Sequence, residues 1–448
     1  MSVKNSTITE EAQPVEDDIS RETVPDGMDQ EKLAQLKAQL LEKKKENMPP
    51  CIVEEKRKSL NLGIIGSGAA GSRIAEAFYK LGYNSVAINT ASQDLKPIEL
   101  PDSNKLLLEY SIGGAAKDVK IGHDAAQANK DGINSLIQDK LSDAQIYVLC
   151  LSLGGGSGAG SFDTMLEILS NTGKPIMAMV ILPLSNDDVL TKNNSLNTLA
   201  KVSKAAQDKL ISNIIVIDNV KLETIYSDVS HMDFFKVSNR AIVEPLDAFN
   251  HLTAMSSVES LDPLEWAKIL TDGEGFSVYG EMSVENYQNE TAIAEAVMNN
   301  LDGGLLASGF DLSHTKYAGA LIVANKKVWE QIPQASINYA MSLIRETCQS
   351  ADGVFRGVYE VDIPEDVVKV YSIFSGLALP VSRTEQLKKE TEVELARSKE
   401  RQKTRNVALE LNTGTDTVVS KAQEVRDKIA KKSSKFGQNF AGGKDFRK

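Results

Sequence analysis

Five glycines fall within the seven positions 154–160, in Gly154-Gly155-Gly156-Ser157-Gly158-Ala159-Gly160-Ser161, directly after an apolar run at residues 145–153. The run reads as a buried strand, and the apolar spacing of residues 162–169 predicts a helix beyond the glycines. Strand, glycine turn and helix start in that order make an anion site. Glycine lets backbone N–H groups turn inward at φ values other residues avoid, and the helix dipole favours phosphate. The competing reading is a glycine-rich turn with no ligand, but the chain uses the same device more than once.

Residues 61–65 are a short apolar strand entering Gly66-Ser67-Gly68-Ala69-Ala70-Gly71, and Ile74, Ala77, Phe78 and Leu81 continue at helical spacing. This is G-x-G-x-x-G in the right context, and by itself it points first to a dinucleotide. The next strand, 85–89, ends in Asn89-Thr90, where a ribose-binding acid would be expected. No Gly-Lys-Ser/Thr follows the glycines, so the P-loop pattern fails as well. The loop holds phosphate by backbone alone. A nicotinamide or flavin enzyme built on Gly66 to Gly71 would leave the second glycine loop unexplained.

A third cluster, Gly113-Gly114-Ala115-Ala116, runs on to Gly122 before a helix predicted over 125–141. A strand at 176–182, a helix at 195–210 and a strand at 213–217 follow. Such alternation predicts an α/β fold, a parallel sheet covered by helices with ligands at the strands' carboxyl ends.

The 448 residues have room for two domains and appendages. No apolar run of about 18 residues is present, so no membrane span is expected, and the start has no apolar core of a secretion signal. Cys51, Cys150 and Cys348 are odd in number and scattered, which fits a reducing cytoplasm. His123, His231, His251 and His314 are equally scattered, so no residue is assigned to a metal. From Ser382 onward, 17 Lys and Arg stand against 10 Asp and Glu. That basic end, at +7, follows an acidic body of −19 within a total of −12. An acidic partner or polyanion would meet the end of the chain. Residues 10–30 are acidic and polar, as in disordered segments, and 30–45 carry leucines at helical spacing before Met48-Pro49-Pro50.

Together these motifs resemble the tubulin/FtsZ family, whose signature is GGGTGTG with small-residue variation. Gly66 to Gly71 is similar to its first phosphate loop, Asn89-Thr90-Ala91-Ser92-Gln93-Asp94-Leu95 to its second, and Gly113 to Gly122 to its third. The resemblance covers residues 60–381 and is most similar to the plasmid and phage segregation tubulins. It implies a GTP-binding domain at 59–226 after an N-terminal arm at 1–58. A central linking helix at 227–255, containing Pro245, and a smaller second α/β domain at 256–381 would follow. A charged helix at 382–411 and a flexible basic tail at 412–448, with room for a short helix at 419–430, would close the chain.

Within the central helix the resemblance makes Phe235 the aromatic that stacks on guanine and Asn239 an amide that reads its edge. Asn219 is another base contact, since an amide offers both donor and acceptor. By pattern alone Phe235 is as readily a core residue, and the competing reading of Asn239 is a solvated helix face. Ser260-Leu261-Asp262-Pro263-Leu264-Glu265 reads by pattern as a helix cap, with Asp262 as cap, Pro263 first in the helix and Glu265 as capping-box partner. In the family the same segment completes the nucleotide site of the next subunit, with Asp262 and Glu265 as catalytic carboxylates. Ser260 stands where the family usually has Asn.

The resemblance implies GTP and GDP as ligands, with Mg2+ on the phosphates, and head-to-tail filaments that hydrolyse GTP across the subunit interface. It implies segregation of DNA through a DNA-bound adaptor protein held by the basic tail, with direct DNA binding by the tail the weaker option. Cell division, phage positioning and a nucleotide-bound module without turnover remain open as alternatives.

Overall fold

The computed structural model describes residues 57–110, 113–230, 232–302 and 305–409. The arm helix, Cys51, His231, the break at 412–417 and the basic tail lie outside them.

The first half of the described chain alternates strand and helix. It runs β1 (Leu62–Ser67), α1 (Gly68–Lys80), β2 (Asn84–Asn89), α2 (Ser92–Leu95), β3 (Lys105–Leu107), α3 (Val119–Ala128) and α4 (Lys130–Leu141). It continues through β4 (Ile146–Ser152), α5 (Gly156–Ser170), β5 (Ile176–Leu182), α6 (Val189–Gln207), β6 (Asn213–Asp218) and α7 (Asn219–Ile225). Every residue of β1, β5 and β6 is buried, as is all of β4 but Ser152. Strands covered on both faces by helices lose the polar alternation of a half-exposed sheet, and each buried Ile or Leu side chain contributes about 1.5–3 kcal/mol.

The sheet order is β3-β2-β1-β4-β5-β6, all parallel. The chain starts at β1, builds outward to β3, then returns to place β4 on the other flank of β1. This reversal opens a crevice at the carboxyl ends of β1 and β4, where open α/β sheets bind their ligands. Ser67 and Leu151, at those ends, are register partners.

The remainder comprises α8 (Phe234–Leu252), α9 (Pro263–Thr271), β7 (Gly275–Val284), α10 (Ala292–Asp302), β8 (Tyr317–Ala324) and α11 (Lys326–Trp329). Then come α12 (Gln334–Thr347), β9 (Gly353–Glu360), β10 (Val368–Leu377) and α13 (Val381–Leu409). Three register pairs join β7 to β6 in parallel, so the sheet runs on through β7-β10-β8-β9 to ten strands. β10 lies antiparallel to both β7 and β8.

Several boundaries differ from the sequence expectation, each for a local reason. The helix expected over 125–141 is two helices that meet at Asn129, which leaves helical angles (φ −108°, ψ 18°) and whose side chain donates back to Ala125 O at 2.9 Å. The central helix begins at Phe234 rather than 227, after a turn in which Ser230 Oγ donates to Asp233 at 2.6 Å. α6 begins six residues before the expected 195, at the cap formed by Asp188. The glycine stretch at 156–161 is the opening of α5 itself, not a loop before a helix at 162.

Candidate nucleotide site and its remote carboxylates

Four helices start at the carboxyl ends of β1, β4, β5 and β6, and their caps differ. Asp188 caps α6 and Asp218 caps α7, each accepting a backbone N–H of the first turn. Neither α1 nor α5 has a side-chain cap. The α1 cap residue, Ser67, spends its hydroxyl on Ser161 Oγ at 2.6 Å, and α5 has Gly155 in that place. The two helices flanking the crevice therefore leave their first N–H groups for an anion, with both dipoles aimed at it.

The glycines divide by what they do. Gly68 sits at φ +73°, and a Cβ there would meet Gly158 N at 2.9 Å, so the two helix starts touch. A Cβ on Gly122 of α3 would overlap the Gly156 carbonyl, and one on Gly160 would lie 2.6 Å from His123 N. Those glycines let α3 and α5 cross in backbone contact. Gly66 and Gly71 are likewise filled by packing. Gly155 is different: its nearest neighbour would be Ser152 Oγ at 3.8 Å.

Around the crevice, Ala69, Ala70, Gly155 and Ser157 are half-buried, while Gly66, Gly71, Asn89, Thr90, Gly154, Gly156, Gly158, Ala159, Gly160 and Ser161 are buried. Thr90 Oγ1 and Ser157 Oγ share a hydrogen bond of 2.6 Å, which brings the second and fourth loops together. Asn194 of α6 donates to Lys117 O at 2.9 Å and to Gly154 O at 3.3 Å, strapping the third loop to the fourth. Ala115 is buried on that side, whereas Gly113 and Ala116 face solvent and Gly114 is between. Gly113, Gly114, Ala116 and Lys117 all have positive φ, a costly conformation for the last two and one that concentrates at ligand sites. Lys117 Nζ rests 2.5 Å from Asp188, and with Thr191 N it holds that carboxyl down at about 2.

Phe235, second in α8, is 40% exposed, with the Arg73 guanidinium 4.4 Å over its ring. Arg73, two residues beyond Gly71 on α1, was not singled out in the sequence; only its place on the turn after the first glycine loop marks it. Asn239, one turn along α8, and Asn219, first in α7, are half-buried. Phe235 and Asn239 thus lie in the first two turns of α8, with Phe235 against Arg73 near the start of α1.

Asp262 and Glu265 are elsewhere. They form the full capping box, Asp262 Oδ1 accepting Leu264 N at 2.7 Å and Glu265 Oε2 accepting Asp262 N at 3.0 Å. Trp266, one residue on, stacks on Phe249 with centroids 4.9 Å apart and donates to Asn250 Oδ1 at 3.3 Å. Asn250 in turn bonds both backbone groups of Leu60, just before β1 begins. So the carboxylates belong to the end of the sheet where β1 starts, and the glycines to the end where it finishes. Along α8, Phe235 and Asn250 are separated by a rise of about 22 Å. One chain does not bring the two halves together.

Mg2+ is carried well by hard oxygens and by the phosphates of its own ligand. The hydroxyls of Thr90 and Ser157 fit that use. No trio of His, Cys, Asp or Glu forms a metal cage among the described residues.

Two family models match consecutive parts of the chain. The GTPase domain of the tubulin/FtsZ family matches residues 61–227, and the C-terminal domain of TubZ-like tubulin/FtsZ-like proteins matches residues 248–388. Together they take in more than half of the chain, which belongs to the tubulin/FtsZ family and carries its GTPase-type domain. Within that family its second part is of the TubZ-like kind. The tubulin-like protein CetZ of Pyrococcus horikoshii is 25% identical over 322 residues, 70% of this chain and 85% of the relative. The tubulin-like protein TubZ of Bacillus cereus is 22% identical over 402 residues, 83% and 92%. The GTPγS-form protofilament of Bacillus thuringiensis serovar israelensis TubZ shares the fold with a TM-score of 0.69 at 20% identity. That superposition covers 77% of this chain and 95% of the other.

Proposed function

We propose that this chain binds GTP at the uncapped starts of α1 and α5 and hydrolyses it only when a second copy docks head to tail. The observation that carries the reading is the separation along α8. The anion site and base residues lie at one end, and Asp262 and Glu265 at the other. Stacked copies place the carboxylates of one chain over the phosphates of the next, where they orient and polarise the attacking water. Backbone N–H groups of the glycine loops hold the phosphates, and Phe235, Asn239 and Asn219 select guanine. Mg2+, held by the phosphates with Thr90 and Ser157, would neutralise phosphate charge when bound. A head-to-tail interface is heterologous and propagates a filament when its rotation does not close. Loss of the γ-phosphate then loosens it. The protofilament formed by the Bacillus thuringiensis relative supports this assembly.

The work we assign to the filament is segregation or positioning of plasmid or phage DNA in a bacterial cytoplasm, with the basic tail gripping a DNA-bound adaptor protein. The TubZ-like second part supports that assignment over division. Sedimentation with GTP, GDP, ATP or no nucleotide, with phosphate assayed in parallel, tests the first part. Pelleting with GTP alone, and phosphate release rising steeply with protein concentration, is expected. Soluble, inactive protein in all four would leave a nucleotide-bound interaction module. For the second part, a chain ending at residue 411 is expected to lose adaptor–DNA binding; undiminished binding would remove the tail from the account.

A further inference from the structure

The loop that ends in Asp262 is fastened to β9, a strand the sequence pattern did not reveal. Glu259 and Val358 form an antiparallel bridge, Val358 N donating to Glu259 O at 2.7 Å. Arg356 grips the Glu259 carboxylate with two nitrogens, Nε at 2.5 Å and Nη2 at 3.0 Å. Asn338 of α12 accepts from Arg356 Nη1 at 3.3 Å and steadies the guanidinium from behind. Ser257 Oγ donates to the Val358 carbonyl.

Further along β9, the Tyr359 hydroxyl accepts Leu261 N at 3.0 Å. Leu261 is fully buried, so the backbone enters Asp262 from a fixed point. Tyr359 is buried too, its ring over Gly357, where any Cβ would overlap it. Trp329 Nε1 donates to the Tyr359 carbonyl at 3.0 Å. Burial pushes the Tyr359 hydroxyl up, the Leu261 N–H opposes this, and the nearby Glu265 carboxylate adds to the rise. The same hydroxyl therefore bonds the residue just before Asp262 and lies within electrostatic reach of Glu265.

A capping box is local and needs none of these anchors. What they fix is where the helix start stands relative to the rest of the molecule. We infer that Arg356 and Tyr359 are positioning residues for Asp262 and Glu265, aiming them at the nucleotide of the neighbouring copy. The inference rests on the reading above. Carboxylates that act across an interface depend on such aim, since misplacement by about 1 Å can cost on the order of a hundredfold in rate.

The test adds small amounts of full-length Tyr359→Phe or Arg356→Gln chain to filaments of Asp262→Ala protein, so that each hydrolysing interface draws its carboxylates from the added chain. Phosphate release per added chain is expected to fall about tenfold below that of the unchanged chain, the scale of one lost hydrogen bond to an aimed group. GTP affinity of the unassembled variants should stay unchanged, because their glycine end is remote. Arg356→Lys, which keeps the charge without the fork, should recover little. Full turnover by both variants in silent Asp262→Ala filaments would overturn the inference and leave the shared site standing. An equal loss of GTP affinity would mean general damage and also count against it. Normal hydrolysis by Asp262→Ala filaments alone would overturn the shared site itself.

Discussion

Arg383 Nε, on α13, lies 2.8 Å from Asp218 Oδ2, with side chains only 6% and 4% exposed. Asp218 also caps α7 through Val220 N at 3.1 Å, one residue before the base candidate Asn219. Along the same helix, Glu390 and Glu394 lie 3.4 and 2.7 Å from Lys192, whose side chain is buried on α6. The C-terminal helix is thus tied by charge to two elements that border the nucleotide crevice.

Breaking that pair from one side strands a buried carboxylate. Arg383→Met is expected to cost about 3–5 kcal/mol, read as a lowered urea midpoint. Adding Asp218→Asn should recover a good part of it, since no unpaired charge is then left behind. A single variant within about 0.5 kcal/mol of the unchanged chain would show the pair to be hydrated, not buried.

Two glycines near the site should respond oppositely to substitution. Gly122→Ala puts a methyl into the Gly156 carbonyl and must push α3 off α5, a cost of about 1–3 kcal/mol. Gly155 has ordinary backbone angles, φ −81° and ψ 152°, and a Cβ there would make only ordinary contact with Ser152 at 3.8 Å. Gly155→Glu should therefore fold normally while its carboxylate repels phosphate, abolishing GTP binding by calorimetry. The reverse pattern of stabilities would mean that the glycines have been assigned to the wrong tasks.

These cases also mark what was legible in the sequence. The capping box at Asp262 and Glu265 was readable because all its partners lie within three residues. The parallel sheet was readable because buried strands are continuous apolar runs. β9 was not, because its first four residues are all partly buried, only Gly357 and Tyr359 are fully buried, and two glycines interrupt its short apolar stretches. Nor was the split between glycines that pack and those, such as Gly113 and Gly155, that do not, since packing against α3 is set by residues more than thirty positions away. The Arg383–Asp218 pair, 165 residues apart, left no local trace at all.

Arg73 lies 4.4 Å over the ring of Phe235, which is 40% exposed and is our proposed stacking face for guanine. Phe235→Ala should weaken GTP binding about two- to tenfold, corresponding to the ~0.5–1.5 kcal/mol of an aromatic stack, with little change in thermal midpoint because the ring is partly exposed. Unchanged GTP affinity would return Phe235 to a packing role.

Asp188 predicts a pH effect with a definite sign. Lys117 holds its folded pKa at about 2, below the ordinary 3.8, so between those values the unfolded chain binds more protons. The pair's contribution is complete above about pH 4 and drains away as pH falls toward 2. Both groups are about half exposed, so the effect is small and screened by salt. Urea midpoints across pH 5 to 2.5 should fall less steeply for Lys117→Met than for the unchanged chain; identical slopes would contradict the pairing.

The most direct test of a site shared between copies is to mix two chains that are each silent. Gly155→Glu keeps its carboxylates but cannot hold GTP, and Asp262→Ala holds GTP but lacks the carboxylate. Phosphate release is measured for each alone and for the equal mixture with GTP. The account predicts that hydrolysis returns in the mixture, because the carboxylates of one chain meet the nucleotide of the other. A mixture as silent as its parts would contradict it.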